Sequence, residues 1–203
     1  MSTMRARLAI FLSGRGSGFQ NLFRATEKGL LSGEIVYVVT SSSKAGGLKL
    51  AISYGFETFV FCESDYESQA VAAADMLARL KERRIDYIAL AGYLRLLPVE
   101  IVQAYRNRIT NIHPALLPKF GGKGMFGRHV HEAVIDAGEK ESGATVHLVD
   151  ERYDHGQILM QSRVEVHSDD TSETLAARVL IEEHKIYSQA LENLIKGKYK
   201  IEH

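Results

Sequence analysis

The segment LAIFLSGRGSGF, from Leu8 to Phe19, decides the fold class of this chain. Leu8–Leu12 is a short apolar run, which is typical of a fully buried strand. Apolar residues recur at helical spacing beyond the glycine-rich turn, and Ser17 with Gln20 fits a capping box. A helix is therefore predicted to begin at Ser17. A strand, a glycine turn and a helix in this order direct free backbone N–H groups at an anion.

The same alternation of strands and helices continues along the chain. Further strands are predicted at Ile35–Thr40, Thr58–Phe61, Asp86–Ala91 and Ile109–Ile112. Helices are predicted at Gly47–Tyr54, Tyr66–Arg83, Pro98–Arg106, His129–Ala137 and Thr171–Lys196, the last capped by Asp170 with Glu173. This alternation predicts an α/β fold with a doubly wound, mostly parallel sheet of about seven strands. The connection between Ser142–Val149 and Gln157–Val166 is too short for a crossover helix, so this C-terminal strand pair is predicted to be antiparallel.

The composition limits the classes of protein to which the chain can belong. Its 203 residues suit a single domain, 1–203, and apolar and charged shares of 45% and 25% are typical of a soluble globular protein. Equal numbers of basic and acidic residues, 25 each, argue against a strongly electrostatic nucleic-acid binder. A single cysteine, Cys62, excludes an intrachain disulfide framework and a multi-cysteine zinc site.

No apolar run approaches the ~20 residues needed to span a bilayer, and no His, Cys and Asp cluster has the spacing of a zinc site. These patterns predict a cytoplasmic protein with no membrane or nucleic-acid partner and no metal. They leave open whether it is a monomer or a homodimer.

Two polar residues at the end of one predicted strand are the first candidates for catalysis. Asn111 and His113 lie two residues apart, so they project from the same face with Cα atoms roughly 6.6 Å apart. Pro114 keeps His113 extended at the strand end. An amide beside an imidazole combines an oxyanion donor with a proton carrier. Ligands of doubly wound sheets lie beyond the carboxyl ends of the strands, which is the edge where this pair is expected.

Three other features have both a structural and a functional interpretation. The glycine turn is either a tight turn or a phosphate monoester site, since it lacks the third glycine and the acidic partner of a dinucleotide site. Asp154 lies in a charged loop, for which a solvated turn is the structural interpretation and a place in the site is the functional one. Glu183 falls on the apolar face of the last helix, where a carboxylate is costly unless it has a partner. His147 is interpreted as a sheet residue and not as a catalyst.

Five motifs along the chain resemble those of the glycinamide ribonucleotide formyltransferases, the folate-dependent enzymes of purine biosynthesis. The motifs are Ser13-Gly14-x-Gly16-Ser17, Ala91-Gly92-Tyr93-Leu94-Arg95, Asn111-Ile112-His113-Pro114-x-Leu116-Leu117-Pro118-Lys119, Gly143-x-Thr145-Val146-His147 and Asp154-x-Gly156. The similarity runs from Leu8 to about Ile195. It implies transfer of the formyl group of 10-formyltetrahydrofolate, as cosubstrate, to the amine of glycinamide ribonucleotide, without a metal.

The resemblance also implies a role for each site residue. The catalytic residues would be Asn111, His113 and Asp154, with Asp154 raising the pKa of a protonated His113. The substrate phosphate and ribose would be bound by Gly16, Ser17, Gly18 and Glu183. The folate would be bound by Leu94, Arg95, Leu97, Asn111, Glu151 and Asp154.

Several positions depart from the family's common pattern. Gly18 replaces a frequent Asn near the phosphate. Gln69 stands where many members have an Arg near the folate tail, and Leu180 where some have a polar residue near the phosphate. The Gly121–Gly127 segment is longer than in the commonest form, and it is a candidate lid. A formyltetrahydrofolate hydrolase and a non-catalytic folate- or nucleotide-binding module remain as alternative functions.

Overall fold

Seven strands form one sheet in the computed structural model, which describes residues 5–201. The strands are β1 (Arg7–Leu12), β2 (Glu34–Thr40), β3 (Glu57–Val60), β4 (Tyr87–Leu90), β5 (Ile109–His113), β6 (Glu141–Leu148) and β7 (Ile158–Glu165). The helices are α1 (Ser17–Glu27), α2 (Gly46–Ser53), α3 (Gln69–Glu82), α4 (Val99–Ala104), α5 (Arg128–Asp136) and α6 (Ser172–Ile195). The strand order is β3-β2-β1-β4-β5-β6-β7. The predicted α/β fold class is confirmed.

The first five strands are parallel, and the last two are not. β1 to β5 pair in parallel, as predicted, and β6 with β7 is the predicted antiparallel pair. In addition, β6 runs antiparallel to β5, with Asn111 opposite His147 and His113 opposite Thr145. The carboxyl ends of β1, β4 and β5 therefore meet at one edge, and β6 brings a further histidine beside Asn111.

Alternate residues of β1 enter two separate hydrophobic cores, one on each face of the sheet. Leu8, Ile10 and Leu12 pack with residues of α1 and α6, whereas Ala9 and Phe11 pack with residues of α3 and α4. These five side chains, Leu8 to Leu12, are fully buried. Burial on both faces explains why β1 has a continuous apolar sequence and not an alternating one.

Three details of the helices differ from the sequence-based predictions. α1 begins at Ser17 as predicted, but Gly16 is its N-cap and no side chain caps it, so the predicted capping box is wrong. α3 begins at Gln69 and not at the predicted Tyr66, because the Ser68 hydroxyl accepts from the Val71 N–H at this point. α6 is capped by Thr171 and Thr174 rather than by the predicted pair.

The described residues contain no helix whose length and apolar character would suit a membrane span. No regular element forms between β5 and α5, which agrees with the glycine-rich composition of that segment. Phe120, Gly122, Gly124 and Gly127 all have positive φ values there. The segment therefore runs along the sheet edge as a loop, and its residues from Gly122 to Gly127 border the cavity described next.

Candidate active site

A cavity of about 730 Å³ opens at the carboxyl edge of the sheet. Ser17 and Gly18 of α1, Asn111 and His113 of β5, Asp154 and Glu183 all border it. The residues come from four distant parts of the sequence. They converge because parallel strands end at the same edge, and because α6 packs against β6 and α1.

Asn111, His113 and Asp154 form one contact group on this cavity. Asn111 Nδ2 donates to Asp154 Oδ1 at 3.3 Å, and His113 Nδ1 lies 3.5 Å from the same oxygen. The second carboxylate oxygen accepts from the Gly122 backbone N–H at 2.9 Å. Asp154 thus touches both residues of the β5 pair and also fixes the start of the glycine-rich segment.

The protonation of His113 follows from its other ring nitrogen. Nε2 lies 2.8 Å from the Phe120 carbonyl oxygen, which can only accept, so Nε2 carries a hydrogen. Nδ1, which faces Asp154, is therefore the atom that gains and loses a proton. Burial lowers the pKa of His113, and the Asp154 charge and the Phe120 hydrogen bond offset this only in part. Asp154 acts on this pKa in the predicted direction, but burial outweighs its attraction, so the net pKa of His113 is lowered.

Asp154 remains a carboxylate despite being buried. Burial alone would raise its pKa, but contact with His147, the charge of His113 and the Gly122 N–H together lower it. Its backbone has a φ of +53°, a conformation that costs energy for any residue other than glycine. Two residues on, a Cβ at Gly156 would lie 1.9 Å from the Leu148 carbonyl oxygen. The Asp154-x-Gly156 motif therefore has a structural reason as well as a chemical one.

His147 is the functional candidate that the sequence interpretation missed. Its Nδ1 donates to the Leu148 carbonyl oxygen at 2.7 Å, so in the neutral ring Nε2 accepts from Asn111 Nδ2 at 3.0 Å. Nε2 also lies 3.5 Å from Asp154 Oδ1. In the sequence, His147 is marked by the alternation of β6 and by the Gly143-x-Thr145-Val146-His147 motif, but neither reveals that it lies opposite Asn111.

The glycine turn leaves the first N–H groups of α1 without a side-chain cap. Gly16 has a φ of +88°, and a Cβ there would lie 2.7 Å from the Gly47 Cα, so the turn requires glycine. At Gly18 a Cβ would lie 3.2 Å from the Ala91 Cβ, which explains how glycine fits where Asn is common. Ser17 and Gly18 border the cavity, whereas Gly16 does not. Uncapped N–H groups at a helix start suit an anion.

Glu183 borders the cavity from α6, as its position on the apolar face indicates. Within residues 5–201 its carboxylate has neither an ion-pair nor a hydrogen-bond partner. Burial raises its pKa to about 7. A half-buried carboxylate without a protein partner is suited to a ligand that donates hydrogen bonds.

The residues expected to bind the folate are only partly brought together. Leu94 borders the main cavity and is 48% exposed. Arg95 and Leu97 border a smaller pocket that shares Asn111 and Asp154 with the main cavity. Glu151 borders neither pocket, and its carboxylate pairs instead with the Arg106 guanidinium at 3.1 Å. Its predicted contact with the folate stays a prediction.

No group of three or more His, Cys, Asp or Glu side chains within residues 5–201 is arranged to hold a metal ion. The polar groups at the centre of the cavity instead satisfy one another, as the contacts of Asp154 illustrate. The amide, imidazole and carboxylate groups of this arrangement can donate hydrogen bonds to a reacting oxygen and transfer protons.

Comparison with known proteins identifies relatives over nearly the whole chain. The formyl transferase family model matches residues 6–191. A phosphoribosylglycinamide formyltransferase, chloroplastic, from Vigna unguiculata is 44% identical over 96% of this chain, which spans 62% of that protein. The trifunctional purine biosynthetic protein adenosine-3 of Drosophila melanogaster is 38% identical over 97% of this chain, which spans 14% of its length.

A crystal structure of phosphoribosylglycinamide formyltransferase from Brucella melitensis superposes with a TM-score of 0.86 and 43% identity. That alignment covers 98% of this chain and all of the Brucella chain. Both the family model and this structure cover far more than half of the sequence. The chain therefore belongs to the formyl transferase family and, within it, to the phosphoribosylglycinamide formyltransferases.

Proposed function

We propose that this protein transfers the formyl group of 10-formyltetrahydrofolate to the amine of N1-(5-phospho-D-ribosyl)glycinamide in de novo purine biosynthesis. One observation carries the proposal: Asn111, His113 and Asp154 form a single contact group that faces the same cavity as the α1 N-terminus and Glu183. The cavity thus combines a reacting centre with an anion site and a hydroxyl-binding carboxylate. Relatives named for this reaction are 43–44% identical.

The ribonucleotide is bound at the end of the cavity formed by α1 and α6. The N–H groups at Ser17 and Gly18 donate to the substrate phosphate, which the helix start favours electrostatically. Glu183 accepts hydrogen bonds from the ribose hydroxyls. An ionised carboxylate makes stronger hydrogen bonds than a neutral one, so substrate hydroxyls favour the charged form that burial opposes.

The glycinamide amine attacks the formyl carbon, and the former carbonyl oxygen becomes an oxyanion. Asn111 and His113 stabilise this charge. Both hydrogens on Asn111 Nδ2 have protein acceptors, His147 Nε2 at 3.0 Å and Asp154 Oδ1 at 3.3 Å. The longer contact is the one that the oxyanion replaces, while His147 keeps the amide oriented. His147 is accordingly a positioning residue in this mechanism.

Asp154 and His113 handle the protons. The amine loses a proton as the C–N bond forms, and the folate nitrogen gains one as its bond to the formyl carbon breaks. His113 Nδ1 can carry that proton, and Asp154 Oδ1 at 3.5 Å favours the protonated ring. Because burial lowers the pKa of His113, the imidazolium gives up its proton readily near neutral pH.

The folate-binding side of the site is the smaller pocket and its rim. Leu94 offers exposed apolar surface, and Arg95 and Leu97 border the small pocket beside Asp154. The pterin ring of the folate, which has apolar faces and a polar edge, suits a surface that combines these apolar and polar side chains. The partners of the reaction are thus two small molecules, and the chemistry requires no metal.

A spectroscopic assay of folate deformylation, run with and without glycinamide ribonucleotide, tests the proposal. We expect turnover only when the ribonucleotide is present, with formylated ribonucleotide formed in equal amount. Deformylation without the amine would support the hydrolase. No turnover under either condition, with a correctly folded protein, would support a non-catalytic binding module.

A further inference from the structure

His131 is a buried histidine that the proposed mechanism does not use. It lies on α5, the helix after the glycine-rich segment, and borders the same cavity as Asn111 and His113. Only 4% of its surface is exposed. Its Nδ1 is enclosed by protein and has no hydrogen-bond partner within residues 5–201.

The unpartnered nitrogen indicates which ring nitrogen of His131 carries the hydrogen. A buried N–H without an acceptor is rarer in native proteins than a buried acceptor without a donor. Nδ1 therefore keeps its lone pair, and the single hydrogen of the neutral ring is on Nε2. Burial and the nearby charge of His113 both lower the pKa of His131, so the ring stays neutral. Nε2 then presents one N–H donor, and the cavity is the open space that the ring borders.

The position of His131 along the cavity indicates which part of a substrate it meets. His131 and His113 line the same cavity, and the charge of His113 lowers the pKa of His131, so His131 lies near the reacting centre. In glycinamide ribonucleotide, the group between the ribose and the reacting amine is the amide, and its carbonyl oxygen is an acceptor.

We propose that His131 Nε2–H donates a hydrogen bond to the amide carbonyl oxygen of the ribonucleotide, next to the attacking amine. This inference rests on the function proposed above. The neutral Nε2–H of His131 suits the neutral amide carbonyl oxygen. The charged phosphate is bound instead by the N–H groups at the α1 N-terminus. The contact fixes the glycinamide arm and distinguishes the substrate from other ribose phosphates.

Binding of two probes by calorimetry, without folate, tests this contact. Glycinamide ribonucleotide has the amide carbonyl, and ribose 5-phosphate lacks it. We expect His131→Leu to weaken ribonucleotide binding about tenfold, which corresponds to one lost hydrogen bond. Binding of ribose 5-phosphate should change less than about twofold. His129→Leu, an exposed position on the same helix, is the matched control and should bind both probes normally.

A second pair of variants keeps the test decisive if His131→Leu folds poorly. Glutamine can bring an amide N–H to the position of Nε2, whereas asparagine reaches only the position of Nδ1. His131→Gln should therefore bind the ribonucleotide close to wild type, and His131→Asn should not.

The inference is overturned if folded His131→Leu or His131→Asn binds the ribonucleotide as tightly as wild type, or if both probes weaken equally. Failure of wild type to bind or formylate the ribonucleotide would instead reject the proposed function. The two failures are thus separable.

Discussion

Replacing Glu183 with glutamine should stabilise the free protein above pH 7 while weakening its binding of the ribonucleotide. Burial raises the pKa of Glu183 from its ordinary 4.5 to about 7, and no described residue offers a compensating partner. The folded protein therefore binds this proton more tightly than the unfolded chain does. The resulting stability is complete below about pH 4.5 and is lost as the pH rises through about 7. Glutamine has no such titration.

The size of the effect follows from the two pKa values. They differ by about 2.5, and each unit of pKa corresponds to about 1.36 kcal/mol. The largest gain in unfolding free energy from Glu183→Gln is therefore about 3.4 kcal/mol. The carboxylate borders an open cavity where water solvates its charge, which reduces the expected gain to about 1–2 kcal/mol. For a chain of this length, that gain raises Tm by about 3–6 °C at pH 8. The gain should shrink as the pH falls toward 4.5.

Thermal unfolding between pH 5 and 8 measures this effect, and Glu182→Gln is the matched control. Glu182 precedes Glu183 on α6, but the Lys185 ammonium and the Ser162 hydroxyl donate to it and lower its pKa. The ionised Glu182 carboxylate therefore stabilises the folded protein above its unfolded pKa, and this stabilisation is lost on acidification. Glu182→Gln removes it, so this variant should have a lower Tm at pH 8. The two neighbouring variants thus have opposite signs.

Calorimetry on the same proteins connects stability to binding. Glu183→Gln should weaken ribonucleotide binding about tenfold or more, because it loses hydrogen bonds to a charged acceptor. A lower Tm for Glu183→Gln at pH 8 would mean that the carboxylate is stabilised in the free protein. An unchanged Kd would remove Glu183 from the ribose site.

Three further predictions concern the reacting centre and its support. Asn111→Ala and His113→Ala should each lower kcat by about 10²–10⁴ in a protein that circular dichroism reports as folded; unchanged turnover would exclude that residue from catalysis. Asp154→Asn removes the charge that favours protonated His113, so the decline of kcat with rising pH should begin at lower pH, and an identical pH profile would contradict the pairing. Gly156→Ala should cost about 3 kcal/mol or more in unfolding free energy because its Cβ meets the Leu148 carbonyl, whereas Gly14→Ala, with open space around it, should cost little.

The order of strands and helices was readable from the sequence because both faces of the sheet are covered. β1 is apolar from Leu8 to Leu12, and the glycine turn after it marks its carboxyl end. The direction of β6 was not readable in the same way. The chain between β5 and β6 is long and contains α5, which is also the pattern of a parallel crossover. Direction depends on tertiary packing, for which no local signal exists.

The candidate site shows the same limit at the level of side chains. Glu183 was identifiable because a carboxylate on an apolar helical face is unusual. The interaction of Asp154 with His113 was anticipated, but the net pKa of His113 was not, since it depends on how completely the loop encloses the ring. His131 gave no signal, because its burial arises from tertiary packing, in which α5 lies against α6.

The antiparallel direction of β6 explains how distant parts of the chain form one reacting centre. β6 ends with Leu148 opposite Thr110, one residue from Asn111 in the neighbouring strand. The loop after β6 therefore starts beside the catalytic strand, and the left-handed backbone at Asp154 returns its carboxylate to Asn111 and His113. His147, one residue earlier in β6, orients the amide that Asp154 also contacts. Changes that move this loop, including Gly156→Ala, should thus impair catalysis even where they touch no substrate.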